Sequence, residues 1–338
     1  MKAIALTRYL PIGDPQSLVD VELPRPVPTG RDLLVRVEAV SVNPVDTKVR
    51  APKAAVEPSP RVLGWDAAGV VEAVGDAVTL FKPGDRVYYA GAIDRPGSNA
   101  QFQLVDERIA GPMPKTLDFA EAAALPLTAL TAWELLFDRF GFDPEGADRG
   151  RTLLILAGAG GLGSIAIQLA RRAGLTVIAT ASRAETVEWC RRMGADHVVD
   201  HRQPLRPQIE ALGLAAVDAI GCFTAAEAYW PQMADLVAPQ GRIGLVVGMK
   251  AAVDLEPLKN KSASVHWEFM FTRSLYHTPD MVEQHRILAR VAELVDAGAL
   301  RSTLAETLAP IDAANLRAAH ARLESGRSIG KLVLRGWD

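Results

Sequence analysis

The spacing of apolar positions changes twice along the chain. Up to Thr116, short apolar and β-branched runs recur at Ala3–Leu6, Leu33–Val42, Val70–Val74, Val87–Ala90 and Phe102–Val105. Pro24-Arg25-Pro26, Pro28-Thr29-Gly30, Pro83-Gly84-Asp85 and Pro96-Gly97 separate them. Short strands punctuated by turn residues predict a barrel or a sandwich. The stretch Val49–Pro60 holds three prolines and is expected to be a loop. Leu117–Phe140 then takes up helical spacing, interrupted at Pro126.

From Arg151 strands and helices alternate. Leu153–Ala157 is continuously apolar, as a strand covered on both faces should be. Gly161–Ala173 follows with Leu162, Ile165, Ala166, Leu169 and Ala170 on one helical face. Further strands are predicted at Thr176–Ala181, His197–Asp200, Val217–Phe223, Arg242–Val247 and Val265–Phe271. A helix over Glu185–Met193 should end at Gly194. This alternation predicts an α/β architecture with a parallel sheet and right-handed crossovers. The last segment changes again, to helices over Met281–Ala297 and Asp312–Glu324 and a strand at Lys331–Arg335. These pieces are expected to rejoin the first domain.

Composition narrows the function. Of 338 residues, 49% are hydrophobic and 23% charged, which excludes a disordered or low-complexity chain. The formal net charge of −3 argues against a general nucleic-acid binder. No apolar run approaches the ~18 residues of a membrane span, and the N-terminus lacks the apolar core of a signal peptide. A soluble cytoplasmic protein is the expectation. Two cysteines, Cys190 and Cys222, exclude a disulfide framework and any four-cysteine zinc knuckle.

The most informative motif is Gly158-Ala159-Gly160-Gly161-Leu162-Gly163, a G-x-G-x-x-G between a predicted strand and a predicted helix. On this pattern Gly158 permits a tight turn, Gly160 lets a pyrophosphate approach the backbone, and Gly163 lets helix and strand pack closely. The helix N-terminus adds N–H donors and a partial positive charge for the anion. The next strand ends Ala181-Ser182-Arg183, with no acid before Glu185. An NAD site ordinarily places a carboxylate there. Ser182 and Arg183 would instead bind a 2′-phosphate, so NADPH is the expected cofactor. His201, at the end of the third strand, is a candidate contact to adenine or phosphate. Phe223, Thr224, Val246 and Val247 follow strands on the carboxyl side, where ligands of such sheets bind.

Together with this loop, Val42-Asn43-Pro44-Val45-Asp46-Thr47-Lys48, Leu63-Gly64-Trp65-Asp66-Ala67-Ala68-Gly69, Pro83-Gly84-Asp85-Arg86-Val87 and Leu130-Thr131-Ala132-Trp133 occur in order. The chain resembles the medium-chain dehydrogenase/reductase superfamily, in its zinc-free quinone-oxidoreductase-like branch. The resemblance runs nearly end to end. It implies a GroES-like β-barrel catalytic domain, 1–125 completed by 268–338, and a doubly wound Rossmann domain at 126–267. It also implies a cleft between them, a nicotinamide contact at Thr131 and a homodimer through the edge of the Rossmann sheet. Trp267–Arg273 is expected to line the cleft or the dimer edge.

The metal-binding positions of the family's zinc enzymes correspond by motif to Asn43, Trp65 and Leu127. Zinc requires thiolate, imidazole or carboxylate donors, and these three offer none. No metal is therefore expected. Without that Lewis acid, oxidation of a simple alcohol is hard, whereas a quinone or an α,β-unsaturated carbonyl accepts hydride and delocalises the charge. The expected activity is NADPH-dependent reduction of such a small molecule. Candidate residues for the reaction are Asn43 as a hydrogen-bond donor, Asp46 orienting Lys48 or the nicotinamide ribose, Lys48 as a cation for the developing anion, and Trp65 as an apolar wall. Two other readings stay open at this level. One is a non-catalytic NADPH-binding sensor; the other is an alcohol dehydrogenase whose zinc sits on Asp46, Asp66 and a histidine.

Overall fold

The computed structural model describes residues 1–337. The chain divides into two compact units, Met1–Leu130 with the chain from Phe271 onward, and Thr131–Met270. The first stretch carries β1 (Lys2–Tyr9), β2 (Val19–Glu22), β3 (Asp32–Ser41), α1 (Pro44–Arg50), β4 (Lys53–Val62), β5 (Ala67–Val74), β6 (Arg86–Tyr89), β7 (Phe102–Asp106) and β8 (Ala110–Pro112), then α2 (Phe119–Ala123) and α3 (Pro126–Trp133). The middle carries β9 (Thr152–Leu156), α4 (Gly161–Arg172), β10 (Thr176–Thr180), α5 (Ala184–Met193), β11 (His197–Val199), α6 (Leu205–Ala211), β12 (Val217–Cys222), α7 (Trp230–Leu236), β13 (Val237–Leu245), α8 (Glu256–Lys259) and β14 (Ser264–Trp267). The return carries α9 (Thr272–Leu275), α10 (Glu283–Asp296), β15 (Leu304–Leu308), α11 (Ala313–Glu324) and β16 (Lys331–Arg335).

In the first unit a three-stranded antiparallel sheet runs β2-β1-β4. A second sheet of seven strands runs β15-β16-β3-β5-β6-β8, with β7 also paired to β3. Strand β16 lies antiparallel to β3 through Val333–Ser41 and Leu334–Val40. This pairing makes the last strand integral to the unit built by the first. The segment expected to be a loop at Val49–Pro60 is largely strand, because β4 pairs with β1 through Ala5–Val62 and Leu6–Arg61. Its prolines are tolerated because β4 is an outer strand, mostly exposed, and its pairing is irregular past Leu6. Strands β2, β8 and β15 are too short or too polar to stand out as apolar runs.

In the middle unit six strands are all parallel in the order β11-β10-β9-β12-β13-β14. Counted from β9 this is 3-2-1-4-5-6, the doubly wound order with its switch point between β9 and β12. All five residues of β9 are buried, as a central strand covered by helices on both faces requires. Leu154, Ile178, Ile220 and Ile243 of four adjacent strands pack with Trp230 and Met233 of α7. Among the described residues, no helix is long and apolar enough to cross a membrane.

One buried titratable group couples the first unit to pH. His320 on α11 is fully buried, and neither ring nitrogen has a hydrogen-bond partner. Burial and the nearby charge of Arg50 push its pKa down from 6.5 to about 3. Between those values the unfolded chain binds more protons than the folded one. Stability should therefore fall as pH drops from 6.5 toward 3, by at most ~1.4 kcal/mol per pH unit from this group. His320→Leu removes the titration, and urea midpoints measured from pH 7 to 4 should show a shallower acid slope in that variant. An unchanged slope would assign the acid sensitivity to other groups.

Candidate active site

The glycine loop connects the carboxyl end of β9 to α4, at the switch point of the parallel sheet. The end of β10 holds it in place. Thr180 accepts the Ala157 N–H on its Oγ1 at 3.0 Å and the Gly158 N–H on its carbonyl oxygen at 3.1 Å. The left-handed residue of the turn is Ala157, with φ of 68°, and not Gly158 as the motif suggests. Gly158 is needed for packing instead. A Cβ there would lie 2.7 Å from Ala179 Cβ and 3.1 Å from Cys190 Sγ. A Cβ on Gly163 would meet the carbonyl oxygens of Ala157 and Gly158 at 2.5 Å, so close contact with the turn itself demands that glycine.

Gly160 differs from both. A Cβ there would meet nothing nearer than Ala157 O at 3.6 Å, so the fold itself has room for a side chain. Gly160 is also the N-cap of α4, whose first-turn N–H groups have no partner within the helix. Gly161 and Leu162 are half-buried in that first turn. The space beside Gly160 and the donors of the helix end suit a pyrophosphate.

The remaining candidates for the cofactor stand at the carboxyl ends of the neighbouring strands. Ser182 and Arg183 follow β10, His201 follows β11, Phe223 and Thr224 follow β12, and Val246 and Val247 follow β13, all of them half-buried. The Phe223 N–H reaches Leu156 O at 3.3 Å and ties the end of β12 to that of β9. Arg183 pairs with Glu185 at 2.9 Å, an ion pair the sequence reading did not anticipate. His201 Nδ1 is buried without a partner. Thr131 lies inside α3, with 6% exposure. Both cysteines are buried, and burial pushes their thiols up to about 12 for Cys190 and about 11 for Cys222, so neither is a ready nucleophile.

The other candidates cluster in the first unit, around a residue that sequence reasoning missed. The Lys331 ammonium is 3% exposed and lies 2.8 Å from Asp66 Oδ2. It also donates to Val42 O at 3.1 Å and to Asn43 Oδ1. Asn43 Nδ2 donates to Trp65 O at 2.7 Å and to Asp66 Oδ2 at 2.8 Å. Asp66 Oδ1 accepts the Leu127 N–H at 2.7 Å. Asp46 Oδ2 accepts the Asn43 N–H at 2.6 Å, as a carboxylate in the first turn of α1 can.

This geometry places the four candidates of the first unit. Asn43 is 1% exposed with its amide engaged on both sides, so it is not a free donor for a substrate. Asp46 is buried against Asn43, whereas Lys48 is exposed, and the cation at the centre is Lys331. Trp65 is 1% exposed, donates its indole N–H to Ala92 O at 3.1 Å and packs edge-on against Phe271, so it is core and not an open wall. Leu127 contributes a backbone N–H to the cluster.

Burial raises both carboxyl pKa values in this cluster. For Asp66 the Lys331 charge and the Asn43 amide oppose that shift. For Asp46 the Asn43 N–H and Lys331 oppose it and the Asp66 charge adds to it, leaving the group at about 7. Asp46 Oδ1 has no hydrogen-bond partner. Asp66 could be suspected from the sequence, as an acid set among small apolar residues without a turn signal. Lys331 could not, because it opens an apolar strand and reads as an exposed end.

Comparison with known proteins agrees with this architecture. A sequence model of the alcohol dehydrogenase GroES-like domain matches residues 29–115, and one of zinc-binding dehydrogenases matches 193–334. A zinc-type alcohol dehydrogenase-like protein of Staphylococcus aureus (strain MSSA476) is 43% identical over 335 residues, 99% of each chain. Among solved structures, a Rhizobium etli CFN 42 protein assigned as a zinc-dependent alcohol dehydrogenase matches with a TM-score of 0.95 at 53% identity, covering 100% of this chain and 98% of that one. Escherichia coli quinone oxidoreductase complexed with NADPH matches with a TM-score of 0.82 at 26% identity, covering 99% and 100%. The two units are thus a GroES-like domain and a Rossmann domain, those of an oxidoreductase. The chain belongs to the medium-chain dehydrogenase/reductase superfamily.

The zinc in those names does not fit the residues here. Asn43, Trp65 and Leu127 supply an engaged amide, an indole and an alkyl side chain, and an ammonium lies against the nearby carboxylate. Among the described residues, no group of three His, Cys, Asp or Glu side chains is placed to hold a metal.

The glycines yield a paired prediction. Gly160→Ala should fold like the parent, with a melting temperature within a few degrees, and lose most affinity for a dinucleotide. Gly163→Ala should lose stability outright, because backbone carbonyls cannot move out of the way of its Cβ. Thermal melts and fluorescence titration with NADPH check both, and a Gly160→Ala variant that binds NADPH normally would remove the phosphate from this loop.

Proposed function

We propose that this protein reduces an electron-poor acceptor, a quinone or an α,β-unsaturated carbonyl, at the expense of NADPH and without a metal. The observation that carries the proposal is the filling of the family's metal-binding positions by Asn43, Trp65 and Leu127 around a buried lysine ammonium. A site without a Lewis acid favours an acceptor that spreads the incoming charge over its own conjugated system. NADPH, when bound, supplies the hydride.

The chain's own residues would hold that cofactor in a definite way. The N–H groups of Gly161, Leu162 and Gly163 at the start of α4 face the pyrophosphate, and Gly160 leaves room for it. Ser182 and Arg183 receive the 2′-phosphate, with His201 beside them. Phe223, Thr224, Val246 and Val247 flank the switch point. The likeness to an NADPH-bound quinone oxidoreductase supports the choice of cofactor. Glu185 competes for the Arg183 guanidinium, since the two already pair at 2.9 Å. A homodimer through β14 fits the exposed edge of the parallel sheet, where Trp267 is 52% exposed.

Purified protein should oxidise NADPH at 340 nm with 1,4-benzoquinone or a simple enone, at a rate unchanged by EDTA. Inertness across such a panel, or loss of rate on chelation with recovery on adding zinc, would sink the proposal. Arg183→Ala should weaken NADPH binding by ~10- to 100-fold, as expected for a charge-assisted hydrogen bond worth ~1.5–3 kcal/mol, and leave NADH nearly unaffected. Glu185→Gln should act in the opposite direction and tighten NADPH relative to NADH. Equal changes for both cofactors in either variant would show that this pair does not read the 2′-phosphate.

A further inference from the structure

The glycine loop is held by the two elements on either side of the Ser182-Arg183 turn. Thr180, the last residue of β10, is buried. Its hydroxyl oxygen accepts the Ala157 N–H at 3.0 Å, and its carbonyl oxygen accepts the Gly158 N–H at 3.1 Å. On the other side, Trp189 of α5 donates its indole N–H to Ser164 Oγ at 2.7 Å. The Ser164 hydroxyl in turn donates to Gly160 O at 2.7 Å. Between these two holds lies a strained residue. Ala157 has a φ of 68°, where a Cβ crowds its own backbone and glycine is the ordinary choice. The Gly160 N–H closes the turn onto Ala157 O at 3.3 Å. A left-handed alanine persists only where its surroundings keep it there. Here the N–H of Ala157 itself is taken by the Thr180 hydroxyl.

We propose that Thr180 is a positioning residue for the dinucleotide. Its hydroxyl keeps Ala157 in the left-handed conformation, and that turn sets the first N–H groups of α4 and the open side of Gly160 toward the pyrophosphate. The inference rests on the dinucleotide reading above and deepens it. In that reading Ser182 and Arg183, just beyond Thr180, receive the 2′-phosphate, so one strand end serves both anionic parts of the cofactor. The two roles differ in what they can discriminate. Arg183 faces a group that only NADPH carries. Thr180 acts through a loop that faces the pyrophosphate, which NADPH and NADH share. The roles of its two side-chain branches also separate. Valine would fill the same volume without the acceptor, and serine would keep the acceptor without the methyl.

The test titrates the full chain with NADPH and with NADH by nicotinamide fluorescence, and follows amide hydrogen exchange of residues 155–163 without cofactor. Thr180→Val should weaken both cofactors alike, by ~10-fold, the effect of losing one buried hydrogen bond. Thr180→Ser should bind both as wild type does. A residue that only packs the core would give the reverse order, because serine loses a buried methyl and valine does not. Adding Ala157→Gly to Thr180→Val should recover most of the affinity, since glycine adopts the left-handed turn unaided. Exchange over 155–163 should be faster in Thr180→Val than in Thr180→Ser. Weaker binding by serine than by valine, a loss confined to NADPH, or no recovery with Ala157→Gly would overturn the proposal. Should Thr180→Val fail to fold, recovery of the fold by Ala157→Gly supports the same role, and its absence overturns it. A wild type that binds neither cofactor would refute the dinucleotide reading. The exchange rates then decide the hold on Ala157 separately: equal rates in the two variants overturn it, and faster exchange in Thr180→Val supports it.

Discussion

A lysine ammonium placed among oxygen atoms out of reach of water determines much of the first unit. Moving a charge into the protein interior is costly unless it is paired and its remaining donors are satisfied. Lys331 meets both conditions, and in doing so it fixes its neighbours. Asp66 is held from both sides, by the ammonium and by the Leu127 N–H. Asn43 cannot turn, because each end of its amide is engaged. The three positions that a zinc enzyme of this family would devote to its metal are therefore gathered into one region even though no metal donor occupies them. The architecture of the site is retained while its chemistry differs.

The middle unit is organised by a different constraint, that of a parallel sheet. Six strands point the same way, so the loops leaving their carboxyl ends lie along one edge. That edge collects residues as distant in sequence as Gly158 and Val247. The glycines that follow β9 serve distinct purposes. Gly158 and Gly163 are small because protein atoms crowd them, whereas Gly160 is small although the fold would admit a side chain there. That difference separates residues that build the loop from one whose size the fold itself does not require.

Most of the fold was legible from the sequence because its signals are local. The apolar run at Leu153–Ala157 and the 3.6-residue period after Gly161 gave β9 and α4 nearly to the residue, and β16 was read to the residue. Strand β4 was not legible, because prolines normally forbid the interior of a sheet and only its outer position excuses them. The site was partly legible. Glycine spacing and the polar ending of β10 are written in neighbouring residues. The partner of Asp66 is not, since it lies 265 positions away and arrives through strand pairing. For the same reason Asn43 and Trp65 looked available to a substrate in the sequence and are enclosed in the fold.

The late position of β16 has a consequence for how this molecule is made. Residues 131–270 form a contiguous unit, so on a ribosome they can emerge and fold before Lys331 has been synthesised. Until then Asp66 lacks the ammonium it pairs with, and the edge of β3 that β16 will cover stays open. The first unit closes only when the end of the chain arrives, after the whole dinucleotide-fold half has been made.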